Sequence, residues 1–106
     1  MPTIIRFKDY FIYFTVKCLK EPVHIHINRD APADDGKSAK IWVNSDGSLT
    51  VEHLGIFEDS RMKKQFDILL EIAQVNVEKA ISLWVSKKGS IEYIDIVGRF
   101  NVSQND

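Results

Sequence analysis

Short β-branched, aromatic or alternating runs separated by turn signals fill residues 3–54, and from residue 59 onward the apolar positions recur at the 3.6-residue period of a helix. This switch constrains the fold more than any other feature of the chain. Strands gathered in the first half and helix in the second cannot build successive βαβ units. The chain therefore reads as α+β, a mostly antiparallel sheet of about five or six strands with one long helix packed on one face.

Residues 3–7 (Thr-Ile-Ile-Arg-Phe) are β-branched and aromatic, Lys8-Asp9 interrupts them, and residues 10–16 (Tyr-Phe-Ile-Tyr-Phe-Thr-Val) resume the pattern, which predicts a hairpin. Residues 18–22 leave it, because the residue before Pro22 is pushed toward extended or turn conformations, and residues 23–28 alternate as a third strand. Residues 38–44 and 48–54 form a second hairpin around Ser45-Asp46-Gly47, where Asp and Gly both tolerate positive φ. Residues 30–37 crowd Pro, Gly and acidic side chains into a solvated, mobile loop. Its Asp30, Asp34 and Asp35 lack the twelfth-position glutamate of a calcium loop.

Glu58-Asp59-Ser60 supplies an acidic first turn and an N-cap for a helix over about 59–86. On a helical wheel Met62, Phe66, Leu69, Leu70, Ala73, Val77, Ala80, Ile81 and Trp84 share one broad apolar face, which packs on the sheet. A second set, Ile68, Ile72, Val75 and Leu83, falls nearly opposite. Either the helix breaks near residues 74–77, with Asn76 capping a second helix, or a protein partner or second copy covers the stripe. Left wet, each of these side chains forfeits about 1.5–3 kcal/mol, so the four are the expected partner interface. Lys87-Lys88 and Gly89 end the helix, residues 91–97 read as a late strand, and residues 101–106 as a frayed polar tail behind a single domain of residues 1–100.

With 44% hydrophobic and 27% charged residues the 106-residue chain can build one core unaided, and its net charge of -1 provides no general basic field for nucleic acid, so any such contact would be local. The single cysteine, Cys18, cannot bridge within the chain and has no zinc-finger partner. It sits beside Lys17 and Lys20 with no histidine nearby in sequence, and reads as inert. The apolar run at residues 10–16 is too short for a bilayer and lacks a signal peptide's charged flank, so the expectation is a cytoplasmic protein without a membrane partner. No cofactor is expected.

Alternation puts Val23, Ile25 and Ile27 on the helix side of the third strand, and His24, His26 and Asn28 on the other. Ala39, Ile41, Val43, Leu49 and Val51 likewise point inward, and Lys40, Trp42, Asn44, Thr50 and Glu52 outward, joined by Phe11, Tyr13 and Thr15. The outer face thus gathers His24, His26, Trp42, Lys40, Glu52 and Tyr13 as the expected binding surface. His24 and His26 are the candidate catalytic residues, as an acid/base pair of imidazoles for a phosphodiester. As metal ligands they need a third donor, Glu52 or, with a register slip, His53; without an assured one no metal is expected. The plainer alternative has the two imidazoles bonding loop backbone and packing on Trp42. Placed on a solvated face, both could become alanine with barely any loss of stability.

The opening Met1-Pro2-Thr3-Ile4 followed by Arg6-Phe7, the stretch Pro22-Val23-His24-Ile25-His26-Ile27, the Ala39-Lys40-Ile41 strand and a long helix ending in Trp84 together resemble the prokaryotic domain of unknown function family 4160. The resemblance runs from Met1 to about Trp84. It implies a small α+β protein with no established activity, often encoded beside a second small protein of the domain of unknown function family 2442. Such an arrangement implies one component of a toxin–antitoxin-like pair.

Overall fold

A computed structural model describes residues 3–29 and 37–94. Five strands, β1 (Thr3–Phe7), β2 (Tyr10–Tyr13), β3 (His24–Arg29), β4 (Ala39–Val43) and β5 (Leu49–His53), form one sheet in the order β1-β2-β3-β4-β5, each antiparallel to its neighbour. The α+β class and the antiparallel sheet are those expected. Lys8, at φ 54, makes the tight turn between β1 and β2, a left-handed conformation uncommon for a residue with a Cβ. In the β4–β5 turn Gly47 takes φ 87, and Asp46 Oδ1 accepts hydrogen bonds from the Ser48 backbone N–H at 2.9 Å and hydroxyl at 2.6 Å.

The second strand is shorter than its β propensity implies. It stops at Tyr13, and Thr15 caps a 3-10 turn over Val16–Lys20 in which the Cys18 N–H bonds the Thr15 carbonyl and Cys18 Sγ accepts from the Thr15 N–H at 3.3 Å. Capping outweighs propensity here, and Val16 is left exposed. The expected late strand is also absent over residues 91–94, which contribute one ladder-like bond, Val23 N–H to Glu92 O at 2.8 Å. Its residues 95–97, the loop at 30–36 and the tail at 101–106 lie outside the described residues.

Helix α1 (Lys63–Val75) and helix α2 (Val77–Lys88) follow a 3-10 turn over Ser60–Met62 whose cap, Asp59, accepts from the Arg61 N–H. The Arg61 guanidinium, hydrogen-bonded to that same carboxyl, lowers its pKa to about 2. The helix breaks at Asn76, as one of the two expected arrangements has it, but Asn76 does not cap α2 with its side chain. Its Nδ2 donates instead to the Ile72 carbonyl at 2.8 Å and closes the end of α1. Gly89, at φ 85, ends α2 by donating its N–H to Val85 O.

The inner residues of the sheet, Ile12, Ile25, Ile27, Ala39, Ile41 and Val43, are buried in one cluster with Phe66, Leu69 and Ala73 of α1 and Ala80 and Trp84 of α2. Met62, Leu70, Val77 and Ile81 pack half-buried at its edge, so the broad apolar helix face is the one that meets the sheet. The second stripe divides. Ile72 and Leu83 are half-buried against this same core, while Ile68 is 41% and Val75 80% exposed. Among the described residues no helix is long and apolar enough to cross a membrane.

Candidate functional site

Strand register lines up Tyr13, His26, Lys40 and His53 as opposed residues across β2 to β5, with His24 opposite Trp42 one step along. Opposed residues in a ladder point to one side, so the alternation read from the sequence assigns these side chains to the outer face together. Solvation of that face does not follow. His24 is 1% exposed and Tyr13 is fully buried. The chain leaving β2 folds back through the 3-10 turn and brings Cys18 Sγ within 4.8 Å of a ring nitrogen of each imidazole, and the Trp84 ring lies 5.7 Å from that of His24.

Around the two imidazoles is a recess of about 320 Å³, the size of a small-ligand cleft. His24 Nδ1 lies 2.9 Å from the Pro22 carbonyl. A carbonyl only accepts, so Nδ1 carries the proton and Nε2 is the basic nitrogen of the ring. The ring packs edge-on against Trp42 at 5.2 Å and against His26 at 5.1 Å. His26 stacks on Tyr13 at 5.7 Å and shares a 3.1 Å hydrogen bond between Nδ1 and Ser38 Oγ.

Ser38 is held by a close backbone crossing. Ile56 N–H bonds the Lys37 carbonyl at 2.7 Å, and a Cβ at Gly55, where φ is 55, would stand 2.2 Å from that oxygen. Only glycine permits the approach.

On the rim, Lys40 Nζ donates to Glu21 Oε1 at 2.8 Å and lies 4.4 Å from the centroid of the Trp42 ring. That hydrogen bond is the main cause that holds the Glu21 carboxyl below its usual range. The charge of Lys40 lowers it further, with smaller electrostatic contributions from the two imidazoles, against the opposing effect of burial. Lys17 and His53 complete the rim.

Compared with known proteins, the chain matches no family model, no curated protein and no solved structure.

Of the expected binding surface, His24, His26 and Lys40 line the recess, Tyr13 and Trp42 pack against the two imidazoles, and Glu52 accepts from Trp42 Nε1 at 2.9 Å. His53 enters through the register slip allowed for it. The ladder shifts between Lys40 and Ile41, whose partners are His53 and Val51, so Glu52 is the extra residue. The third donor close to the imidazoles is nevertheless neither of these, but Cys18. Reading it as isolated relied on distance along the chain, which the 3-10 turn cancels. Glu21 and Ser38 were also missed. The one sequence signal for Cys18 is its place three residues after Thr15, the spacing of a reciprocal cap.

Proposed function

We propose that this protein is an interaction module, one component of a two-protein, toxin–antitoxin-like pair, with the solvent side of α1 as its docking face. The observation that supports the reading is the exposure of Ile68 and Val75, which flank half-buried Ile72 at i, i+4 and i+7. A helix that buries one apolar face in its own core and leaves a second aliphatic row wet gains by covering that row with an apolar surface of another chain. The resemblance to the domain of unknown function family 4160 supplies the kind of partner, a small protein encoded alongside. A reducing, cytoplasmic setting suits a chain whose lone cysteine is buried.

The test is co-expression with the product of the neighbouring gene, for the native chain and for Ile68→Glu combined with Val75→Glu. The native chain should co-purify as a complex and sediment with the summed mass. The double variant should lose the partner while its unfolding free energy in urea stays within about 0.5 kcal/mol of native, since both side chains lie at the surface. A native chain that ignores the partner, or a variant that still assembles, would overturn the reading.

A second reading, a small nucleic-acid-directed binder or hydrolase, is favoured by the recess itself, where two imidazoles sit with Lys17 and Lys40. Fluorescence anisotropy with labelled single-stranded RNA tests it. Binding that weakens on Lys17→Ala and steepens with falling salt supports this reading, and no binding at low salt removes it.

A further inference from the structure

We infer that Cys18, His24 and His26 form a binding site for a borderline-soft transition metal ion, of which zinc is the type. This goes beyond the interaction reading and does not depend on it.

Three soft or intermediate donors converge. One ligand atom from each of Cys18, His24 and His26 lies within 4.8 Å of the other two. A tetrahedral zinc with bonds of about 2.0–2.3 Å separates its donors by about 3.3–3.8 Å, so rotation of the side chains by roughly an ångström closes the set. Two donors stand at i and i+2 on a central strand and the third on a capped turn, so ordered backbone carries all of them.

The surrounding hydrogen bonds are those a metal site uses. An imidazole bound to a metal through one nitrogen characteristically donates the other N–H to a carbonyl or similar acceptor, which fixes its tautomer. His24 does so through Nδ1 to Pro22 O, which leaves Nε2 as the donor to the ion. His26 Nδ1 meets Ser38 Oγ, held in place by the Gly55 crossing. Cys18 Sγ accepts the Thr15 N–H at 3.3 Å, and the Thr15 hydroxyl also lies 3.3 Å from it. Both contacts fix the direction in which the sulfur presents its remaining lone pairs.

Cys18 and His24 are both buried, which shields an ion held between them from competing water on that side. With one sulfur and two nitrogens the donor set excludes magnesium and calcium, which take oxygen. Three protein ligands leave a fourth position, as in sites that hold a water or an exchangeable ligand. On binding, the Cys18 thiol proton passes to solvent and the sulfur lone pair forms the bond to the ion, with no change in oxidation state.

The experiment is titration of the full chain, reduced and stripped with a chelator, with cobalt(II). One equivalent should bind with the intense visible bands of tetrahedral cobalt and a sulfur-to-cobalt charge-transfer band, and zinc should displace it, whereas magnesium and calcium should not. Cys18→Ser should abolish the charge-transfer band, His26→Gln should weaken binding at least tenfold, and Ser38→Ala should weaken it about tenfold through the orientation of His26. Circular dichroism of each variant without metal establishes that it is folded, and His26→Gln, at a half-buried ring, remains testable if a variant at Cys18 does not fold. Failure to bind a stoichiometric ion, or cobalt spectra unchanged in both folded Cys18→Ser and His26→Gln, would overturn the site. Because the chain is titrated alone, the outcome is separate from that of the partner experiment.

Discussion

Replacing His24 by alanine separates a solvated outer face from a roofed one. The imidazole is 1% exposed, bonds the Pro22 carbonyl at 2.9 Å, and meets the rings of His26, Trp42 and Trp84 at 5.1, 5.2 and 5.7 Å. Losing the hydrogen bond costs about 0.5–1.5 kcal/mol. Removing a buried ring among three aromatic neighbours adds a cavity and forfeits their edge contacts, and the total comes to about 2–4 kcal/mol. For a domain of this size that is a fall in Tm of roughly 10–25 °C. His26→Ala removes a half-buried ring that bonds Ser38, stacks on Tyr13 and meets His24 edge-on, and should cost about 1–2 kcal/mol. Urea and thermal unfolding, monitored by far-ultraviolet circular dichroism in the presence of a chelator, measure both variants without any contribution from bound metal. The alternation argument alone, with both rings in water, expects barely any loss from either. A His24→Ala unfolding free energy within about 0.5 kcal/mol of native would refute the burial described above and restore that simpler picture.

Gly55→Ala should destabilise the fold by about 2–4 kcal/mol, because the new Cβ meets the Lys37 carbonyl oxygen at 2.2 Å on a backbone at φ 55; a native-like urea midpoint would mean that the crossing can open freely. The Glu21 carboxyl titrates below its unfolded value near 4.5, so its contribution is complete above that pH and is lost as pH falls through the folded value. Its side chain is 48% exposed and screened by solvent, which keeps the contribution under about 1 kcal/mol. Glu21→Gln should therefore flatten the acid limb of the stability profile below pH 4.5, and unfolding curves that steepen there instead would contradict the pairing with Lys40.

The elements governed by repeating pattern were legible in the sequence. Five strands and the Asp46-Gly47 turn follow from hydrophobic period and turn chemistry, and so does the sidedness of His24 and His26, while the break at Asn76 is one of two arrangements the helical wheel leaves open. What covers a face is not periodic. The burial of His24 depends on a turn that Thr15 and Cys18 cap against each other and on Trp84, sixty residues away, reaching both Phe14 and the imidazole. The slip at Lys40 that admits His53 is one extra residue in a ladder, which alternation alone does not reveal. Ile72 and Leu83 were grouped with Ile68 and Val75 because a single wheel assumes one straight axis. Leu83 lies beyond Asn76 on α2, which has its own axis, while Ile72 shares α1 with Ile68 and Val75 but stands at the margin of the face that meets the core.

The strand order has a consequence for synthesis on the ribosome. Every strand pairs with the one made just before it, so the sheet can assemble hairpin by hairpin as the chain emerges, without waiting for distant segments. Its lid comes last. About thirty residues separate the end of β5 from Trp84, roughly two to six seconds of elongation. During that interval Ile12, Ile25, Ile27 and Ile41 face water with no helix over them, and a nascent sheet in that state is a template for edge pairing with other chains. Chaperone demand should therefore fall on the interval between the sheet and its lid, and slower translation of residues 54–84 should lower the yield of native protein more than slowing anywhere earlier.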